Sequence, residues 1–410
     1  MRGTSDFYPP QISSFEHIVD TAKKIFKNFG YNCLILPHLE DEGLFRRSVG
    51  DVSDIVQKQM FKLEGKCIVL RPEGTAGAAR FYIENNLDKA GSLHKFYYSG
   101  SMFRGERPQR GRLREFHHVG AEAFGSDNFY LDAEVIDVAF RIINALNIKD
   151  VTLKINSLGC LKDKEALGIL IKDRLSSRIA NLCQECQRRF SQNPLRILDC
   201  KEAACRKVVG SLSIKNEYLC VRCREHFSNL LALLDELGIP YSYQPLLVSG
   251  LDYYTNTVFE FTTSRLGAQD ALGAGGRYNN LVKKLGGPDV PAVGFALGVE
   301  RMLLLLAGDY TPRLDVYVAY TSGAVYKEAY KIARLLRDNA IPAAIDYSDK
   351  SLKGQLRNAQ KLGAVFSVIV GDEELKDSCI IMRNMRESIQ EKIKIDAILE
   401  WINKQGLTSV

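Results

Sequence analysis

Between Phe103 and Gly120 the chain reads FRGERPQRGRLREFHHVG, which sets Arg104, Arg107, Arg110, Arg112 and Arg114 among three glycines and one proline, with no lysine. A guanidinium fork makes bidentate contact with phosphate or carboxylate where lysine offers a point charge, so the stretch reads as an anion-binding loop. A solvated basic loop is the other reading. Upstream, Glu73 stands between Arg71 and a helix start. A carboxylate there either caps the helix or receives a cationic group such as a substrate ammonium. Arg301 sits among aliphatic residues in AVGFALGVERMLLLLA, so it is either paired in the core or faces a ligand. Cys183 with Cys186 and Cys220 with Cys223 form two CxxC pairs, the usual frame of a structural zinc site. Reduced cysteines packed in a helical insertion are the alternative.

These residues need elements to hold them. YYSGSMF and FHHVGAEAFG flank the arginine stretch as two strands, which makes it a long hairpin loop. Cys67–Arg71 reads as a buried strand running into a helix opened by Pro72, Glu73, Gly74 and Thr75. Helical spacing marks Ser14–Phe29 and Leu131–Leu146; strands are expected at Asn32–Pro37, Val151–Gly159, Tyr241–Val248 and Tyr254–Thr262. LGAQDALGAGGRYNNLV is glycine-rich, and Ala292–Ala307 starts as a strand and turns at Gly298 into a helix. From Cys160 to Phe227 a charged, cysteine-rich texture predicts an inserted helical module. After GDYTPR a new rhythm of strands and helices predicts a compact, largely parallel α/β domain, on which Lys350, Lys353, Arg357 and Lys361 share one helical segment and read as a solvated face.

The 410 residues, 46% hydrophobic and 25% charged, are those of a folded globular chain of two or three domains rather than a disordered one. A net charge of +6 is compatible with a polyanionic partner such as RNA. MRGTSDFYPP has no apolar core, and the longest aliphatic run, Met302–Ala307, is too short to span a bilayer, so the expected location is the cytoplasm with no membrane partner. Ten cysteines there are thiols or metal ligands.

Taken together and in this order, the motifs resemble those of the histidyl-tRNA synthetases, a class II aminoacyl-tRNA synthetase family, over essentially the full chain. FRGERPQRGR is similar to the family's motif 2, AVGFALGVER to motif 3, and the first helix with Pro37 to the motif 1 dimer element. SGLDYYTNTVFEF and GAGGRYNNL are similar to its two histidine-specific signatures. The resemblance implies an α+β fold: a class II antiparallel sheet flanked by helices (1–159 and 233–307), an inserted module (160–232), a linker (308–313) and an anticodon-binding α/β domain (314–410). It implies a homodimer that ligates L-histidine to tRNA(His) through histidyl-adenylate, with ATP as substrate alongside Mg²⁺; the structural Zn²⁺ on Cys183, Cys186, Cys220 and Cys223 is suggested by the CxxC spacing alone.

By the same resemblance Arg104 holds the α-phosphate and the histidine carboxylate, Phe116 stacks on adenine, and Arg301 covers its other face. Arg112 contacts ATP and, with Gln109, the tRNA acceptor end. Glu73, Gly74, Thr75, His118, Glu122, Tyr253 and Tyr254 surround histidine. Three positions depart from the family pattern, the mildest being Asn279, where aspartate is common after GGRY. Ser249 stands where the signature reads RGLDYY and an arginine is implied to neutralise the α-phosphate, and His118 stands where glutamine is usual. The alternative they leave open is a weakened or non-catalytic paralogue: histidine-sensing, RNA-binding or a regulatory subunit.

Overall fold

The computed structural model describes residues 1–50, 53–91, 93–267, 270–348 and 350–406. They form two compact units, Met1–Tyr310 and Thr311–Val410. Among them no helix is long and apolar enough to cross a membrane.

The first unit runs α1 (Gln11–Asn28), β1 (Asn32–Cys33), β2 (Leu39–Asp41), α2 (Glu42–Val49), β3 (Ile68–Leu70), α3 (Thr75–Glu84), β4 (His94–Phe103), β5 (Glu115–Phe124), α4 (Phe129–Ala145) and β6 (Thr152–Ser157). It continues with α5 (Leu161–Leu175), α6 (Gln184–Gln192), α7 (Ala203–Gly210), α8 (Val221–Glu236), β7 (Tyr241–Tyr243), β8 (Thr255–Thr262), β9 (Ala271–Arg277), α9 (Leu281–Lys284), β10 (Ala292–Gly298) and α10 (Val299–Leu303). Eight strands make one sheet in the order β1-β4-β5-β10-β9-β8-β6-β7. Its interior is antiparallel; only the edge pairs β1–β4 and β6–β7 are parallel, so the sheet is mixed.

One apolar cluster packs α1, α4 and α8 against the sheet through Ile18, Phe26, Ile136, Ile142, Leu230 and Leu234. The other joins α2 and α3 to Leu167, Ile171, Cys186 and Cys205 of the 160–232 segment, and takes in Tyr98, Tyr253, Tyr254 and Tyr278. The segment is therefore continuous with the core that holds these tyrosines.

Two expected strands end early. Beyond Cys33 only Leu34 still bonds to the sheet, through Tyr97 O at 2.8 Å, before Pro37 breaks the run. After Tyr243 the chain bends at Pro245, which has no N–H to donate, and Leu247 N turns back to Gln244 O. The glycine-rich stretch, by contrast, is a central strand, β9, registered between β8 and β10; Ala268 and Gln269 before it lie outside the described residues.

In the second unit β11 (Val316–Tyr320), α11 (Tyr326–Asp338), β12 (Ala343–Ile345), α12 (Leu352–Lys361), β13 (Phe366–Val370), α13 (Asp372–Lys376), β14 (Cys379–Asn384), β15 (Gln390–Lys394) and α14 (Ile398–Lys404) build a five-stranded sheet, β12-β11-β13-β14-β15. Pairings on β11 are parallel, but β13–β14 and β14–β15 are antiparallel, so the sheet is half parallel rather than largely so. The short link between β14 and β15 allows a hairpin, whereas a parallel return needs a crossover.

Candidate active site

Register puts the chemistry at one end of the large sheet. β4 and β5 pair from His94↔Phe124 to Phe103↔Glu115, so residues 104–114 form the connecting loop, and β10 lies beside β5 with Gly298 opposite His118. The loop is pinned by Arg104 N to Arg114 O (2.8 Å), Gly105 N to Gln59 O (2.6 Å) and Arg114 N to Gly3 O (2.7 Å). Beneath it lies a cleft of about 1250 Å³.

Behind Thr75 and Tyr98, which line the cleft, Glu122 is fully buried on β5 and accepts hydrogen bonds from Thr75 Oγ1 (2.7 Å), Tyr98 OH (3.1 Å) and Tyr278 OH (2.5 Å). Burial, with Glu73 nearby adding repulsion, pushes its carboxyl up to about 8 although the three hydroxyls oppose the shift. Gly294 is directly opposite Glu122, and a Cβ there would collide with the carboxyl. Glu73 caps α3, accepting from Thr75 N (2.6 Å) and Ala76 N (3.0 Å), with Tyr253 OH at 3.5 Å. Both readings of Glu73 survive, since a helix cap can still face the cleft it lines. Gly74 is tied to its place too: a Cβ would meet the Tyr98 ring at 2.5 Å.

The guanidinium groups of Arg104, Arg112 and Arg301 line the same cleft. Arg104 donates from Nε to Pro72 O (2.9 Å) and lies over the Phe116 ring, 5.3 Å from its centroid. Arg301 donates to Gly111 O (2.9 Å) and Ala271 O (2.5 Å), bridging the loop tip to β9. Glu300 fixes α10 by accepting from His117 N and Nδ1, which aims Arg301. Burial presses on the charge of Arg301 and Arg112, and each feels repulsion from Arg104. Arg112 pairs with Glu106 beside the turn where Gln109 and Arg112 exchange backbone bonds. His118 lines the cleft with Nδ1 buried and unpartnered; burial, then Arg104 and Arg301, hold its imidazole well below the usual histidine range, hence neutral.

Among the motif residues, Arg277 is not in the cleft. It is fully buried and spends its donors on Asp132, Ser126 O, Asn128 O and Asn279. The next residue, Tyr278, is the one that reaches Glu122. The SGLDYY loop also holds a departure: Ser249 Oγ accepts from Leu251 N at 3.2 Å and offers no charge. Three side chains of the 160–232 segment, Lys164, Asn193 and Arg196, bond to that loop. Lys164, on α5, donates to Asp252 O (3.0 Å) and Tyr254 O (2.7 Å), its ammonium pushed down to about 8 by burial. Arg196 pairs through Nε with Asp252 at 3.0 Å, its side chain 11% exposed, and its Nη2 is buried without a partner. Its Nη1 lies 3.8 Å from where a Cβ of Gly250 would stand. Tyr98, Tyr278, Lys164 and Arg196 were invisible as site residues in the sequence. Only GGRY, which carries Tyr278, gave any signal.

The zinc set drawn from the two CxxC pairs is not assembled. Cys183 and Cys186 gather with Cys200 and Cys205, while Cys220 and Cys223 gather with Cys160 and Asp163. Each pair opens a different helix, α6 or α8, and the chain path between them brings other thiols nearer.

A histidyl-tRNA synthetase family model matches residues 3–302, and an anticodon-binding-domain model matches 315–405. The chain belongs to the histidyl-tRNA synthetase family. Curated histidine–tRNA ligases of Thermodesulfovibrio yellowstonii and Aquifex aeolicus are 42% and 43% identical to it, over 99% and 97% of this chain and 98% and 99% of theirs. The crystal structure of apo S. aureus histidyl-tRNA synthetase superposes with a TM-score of 0.82 at 32% identity, covering 98% of both chains. The fold is thus the α+β class II synthetase fold.

Proposed function

We infer that the protein is a histidine–tRNA ligase: it activates L-histidine with ATP and transfers the histidyl group to tRNA(His). The observation that carries this reading is that one cleft is lined both by Thr75 and Tyr98, whose hydroxyls hold the buried Glu122 behind them, and by the arginine set. A cationic or N–H-bearing amino acid suits the first, and the phosphates and carboxylate suit the second. Histidine–tRNA ligases at about 40% identity over the whole length support the same reaction.

In the proposed reaction the histidine carboxylate attacks the α-phosphorus of Mg²⁺-bound ATP, pyrophosphate leaves, and a tRNA ribose hydroxyl then takes the acyl group from the adenylate, releasing AMP. Such chemistry asks for positioning and charge neutralisation rather than a protein nucleophile. Glu73 and Thr75 receive the α-amino group; Glu122, Tyr253, Tyr254 and neutral His118 hold the side chain. Arg104 bridges the carboxylate and α-phosphate, Phe116 stacks on adenine, Arg301 covers its other face, and Gln109 and Arg112 meet the tRNA end. Glu260 and Asp270 both line the cleft and would be the carboxylates able to hold Mg²⁺ if it accompanies ATP there. Arg196 supplies the charge that Ser249 lacks. A second copy would cover the short edge strand β1 and its flank, where Ile35 is 91% and Leu39 51% exposed. Histidine-dependent exchange of pyrophosphate into ATP, followed by charging of tRNA(His), tests the reading; absence of both with a folded enzyme would end it.

A further inference from the structure

We propose that the 160–232 segment holds one zinc ion in a tetrathiolate site made by Cys183, Cys186, Cys200 and Cys205. Their four sulfurs lie within 4.8 Å of one another, and Cys183 Sγ and Cys200 Sγ are 4.0 Å apart. Tetrahedral zinc with Zn–S near 2.3 Å needs sulfur–sulfur separations of about 3.8 Å, so a small contraction closes the shell. Cys186 and Cys205 are fully buried, and Cys183 N donates to Cys205 Sγ at 3.1 Å, an N–H aimed at a sulfur that a metal-bound thiolate would satisfy best. Free cysteines buried merely as small apolar groups have no reason to converge four at a time.

The other cluster is different in kind. Asp163 already accepts from Cys160 N (3.2 Å) and Cys220 N (3.1 Å), capping two helices, and this accounts for its place beside the thiols.

Closing the tetrathiolate fixes the chain from 183 to 205. That stretch carries Arg189, paired with Asp54 at 3.3 Å, and Asn193 and Arg196, which hold Asp252 at 3.3 and 3.0 Å. Zinc therefore anchors the strap that brings Arg196 to the SGLDYY loop. This consequence rests on the role proposed for Arg196; the metal site itself does not.

The test is metal analysis of full-length protein purified without chelator, beside the double variant Cys200→Ser/Cys205→Ser and a control, Cys33→Ser, at an exposed thiol. The variant is expected to hold one zinc equivalent fewer than the wild type, and the control the same amount. If the double variant does not fold, wild type stripped of metal and given Co²⁺ is expected to show thiolate charge-transfer bands with the intense visible bands of a tetrahedral site. Equal zinc in variant and wild type overturns the site, as does a wild type with no zinc whose Co²⁺ form lacks those bands. Arg196→Ala is expected to keep its zinc while losing at least tenfold in exchange rate. Full zinc with an unchanged rate would refute the role of Arg196 and leave the metal site standing.

Discussion

Around the buried Glu122, behind the cleft wall, the structure is finished before any substrate arrives: three hydroxyls donate to the carboxyl, and sheet register leaves only glycine at 294 opposite it. Elsewhere on the cleft the guanidinium groups of Arg104 and Arg301 spend donors on Pro72 O, Gly111 O and Ala271 O, carbonyls that an anion would displace. The first half selects by fixed shape and hydrogen bonding. The second stores charge on exchangeable partners, so its interactions strengthen as negative charge develops, which is the kind that lowers a barrier rather than only binding. Lesions in the two halves should therefore divide between KM for histidine and kcat.

The largest effect is expected from Arg104→Ala. Loss of a positioned donor to transition-state charge costs about 2.7–4 kcal/mol, a 10²–10³-fold fall in the kcat of exchange, with thermal stability nearly unchanged because only one backbone bond is lost. A fall in melting temperature that accounts for the lost activity would erase the contrast.

Glu122→Gln is expected to act on the other side, raising KM for histidine by roughly 10- to 100-fold, since a hydrogen bond to a charged group contributes about 1.5–3 kcal/mol, while kcat changes less. Its pH behaviour has a definite sign. The folded carboxyl titrates at about 8, raised above its unfolded value, so its stabilising contribution is full below the unfolded carboxylate range and is lost as pH rises toward 8. The ionised form is the one that accepts a hydrogen bond from the substrate's imidazole N–H, and that imidazole is itself neutral over most of this range. Histidine binding should therefore release a proton and tighten from pH 6.5 to 8.5, and histidine's stabilisation of the enzyme against heat should grow over the same window. A flat profile in the wild type, or the same slope in Glu122→Gln, would contradict this.

Gly294→Ala should cost about 1–3 kcal/mol of stability by overpacking against the carboxyl and raise KM in step. Smallest is His118→Gln. Because the imidazole is already neutral, exchange should stay within about threefold, ~0.7 kcal/mol, with no new pH dependence between 6 and 8; a larger loss would give the ring a role the amide cannot fill.

What could be read from the sequence follows the same division. Arg104, Arg112 and Glu73 announce themselves because their chemistry is carried by local signals: a basic hairpin and a strand-to-helix turn. Tyr98 and Tyr278 do not, because a tyrosine's orientation depends on sheet register, which only the assembled strands fix. β9 was hidden by its glycines, which weaken strand propensity yet are what its close neighbours require, a Cβ at Gly275 meeting Gly294 O and the Phe259 ring at 2.5 Å. Cysteine spacing marked the thiols as candidate metal ligands but not how they group, since that is set by the chain path. Arg196 gave no signal at all: it lies in an insertion and gains meaning only where that segment meets Gly250.

The claim that Arg196 replaces the cation missing at position 249 is tested most directly by a double-mutant cycle of Arg196→Ala and Ser249→Arg, read by histidine-dependent pyrophosphate exchange. The account predicts that Arg196→Ala lowers kcat at least tenfold, that Ser249→Arg leaves the wild-type rate unchanged, and that it restores most of the loss when the two are combined. An Arg196→Ala enzyme with the wild-type rate, or a Ser249→Arg enzyme that is faster with Arg196 in place, would contradict it.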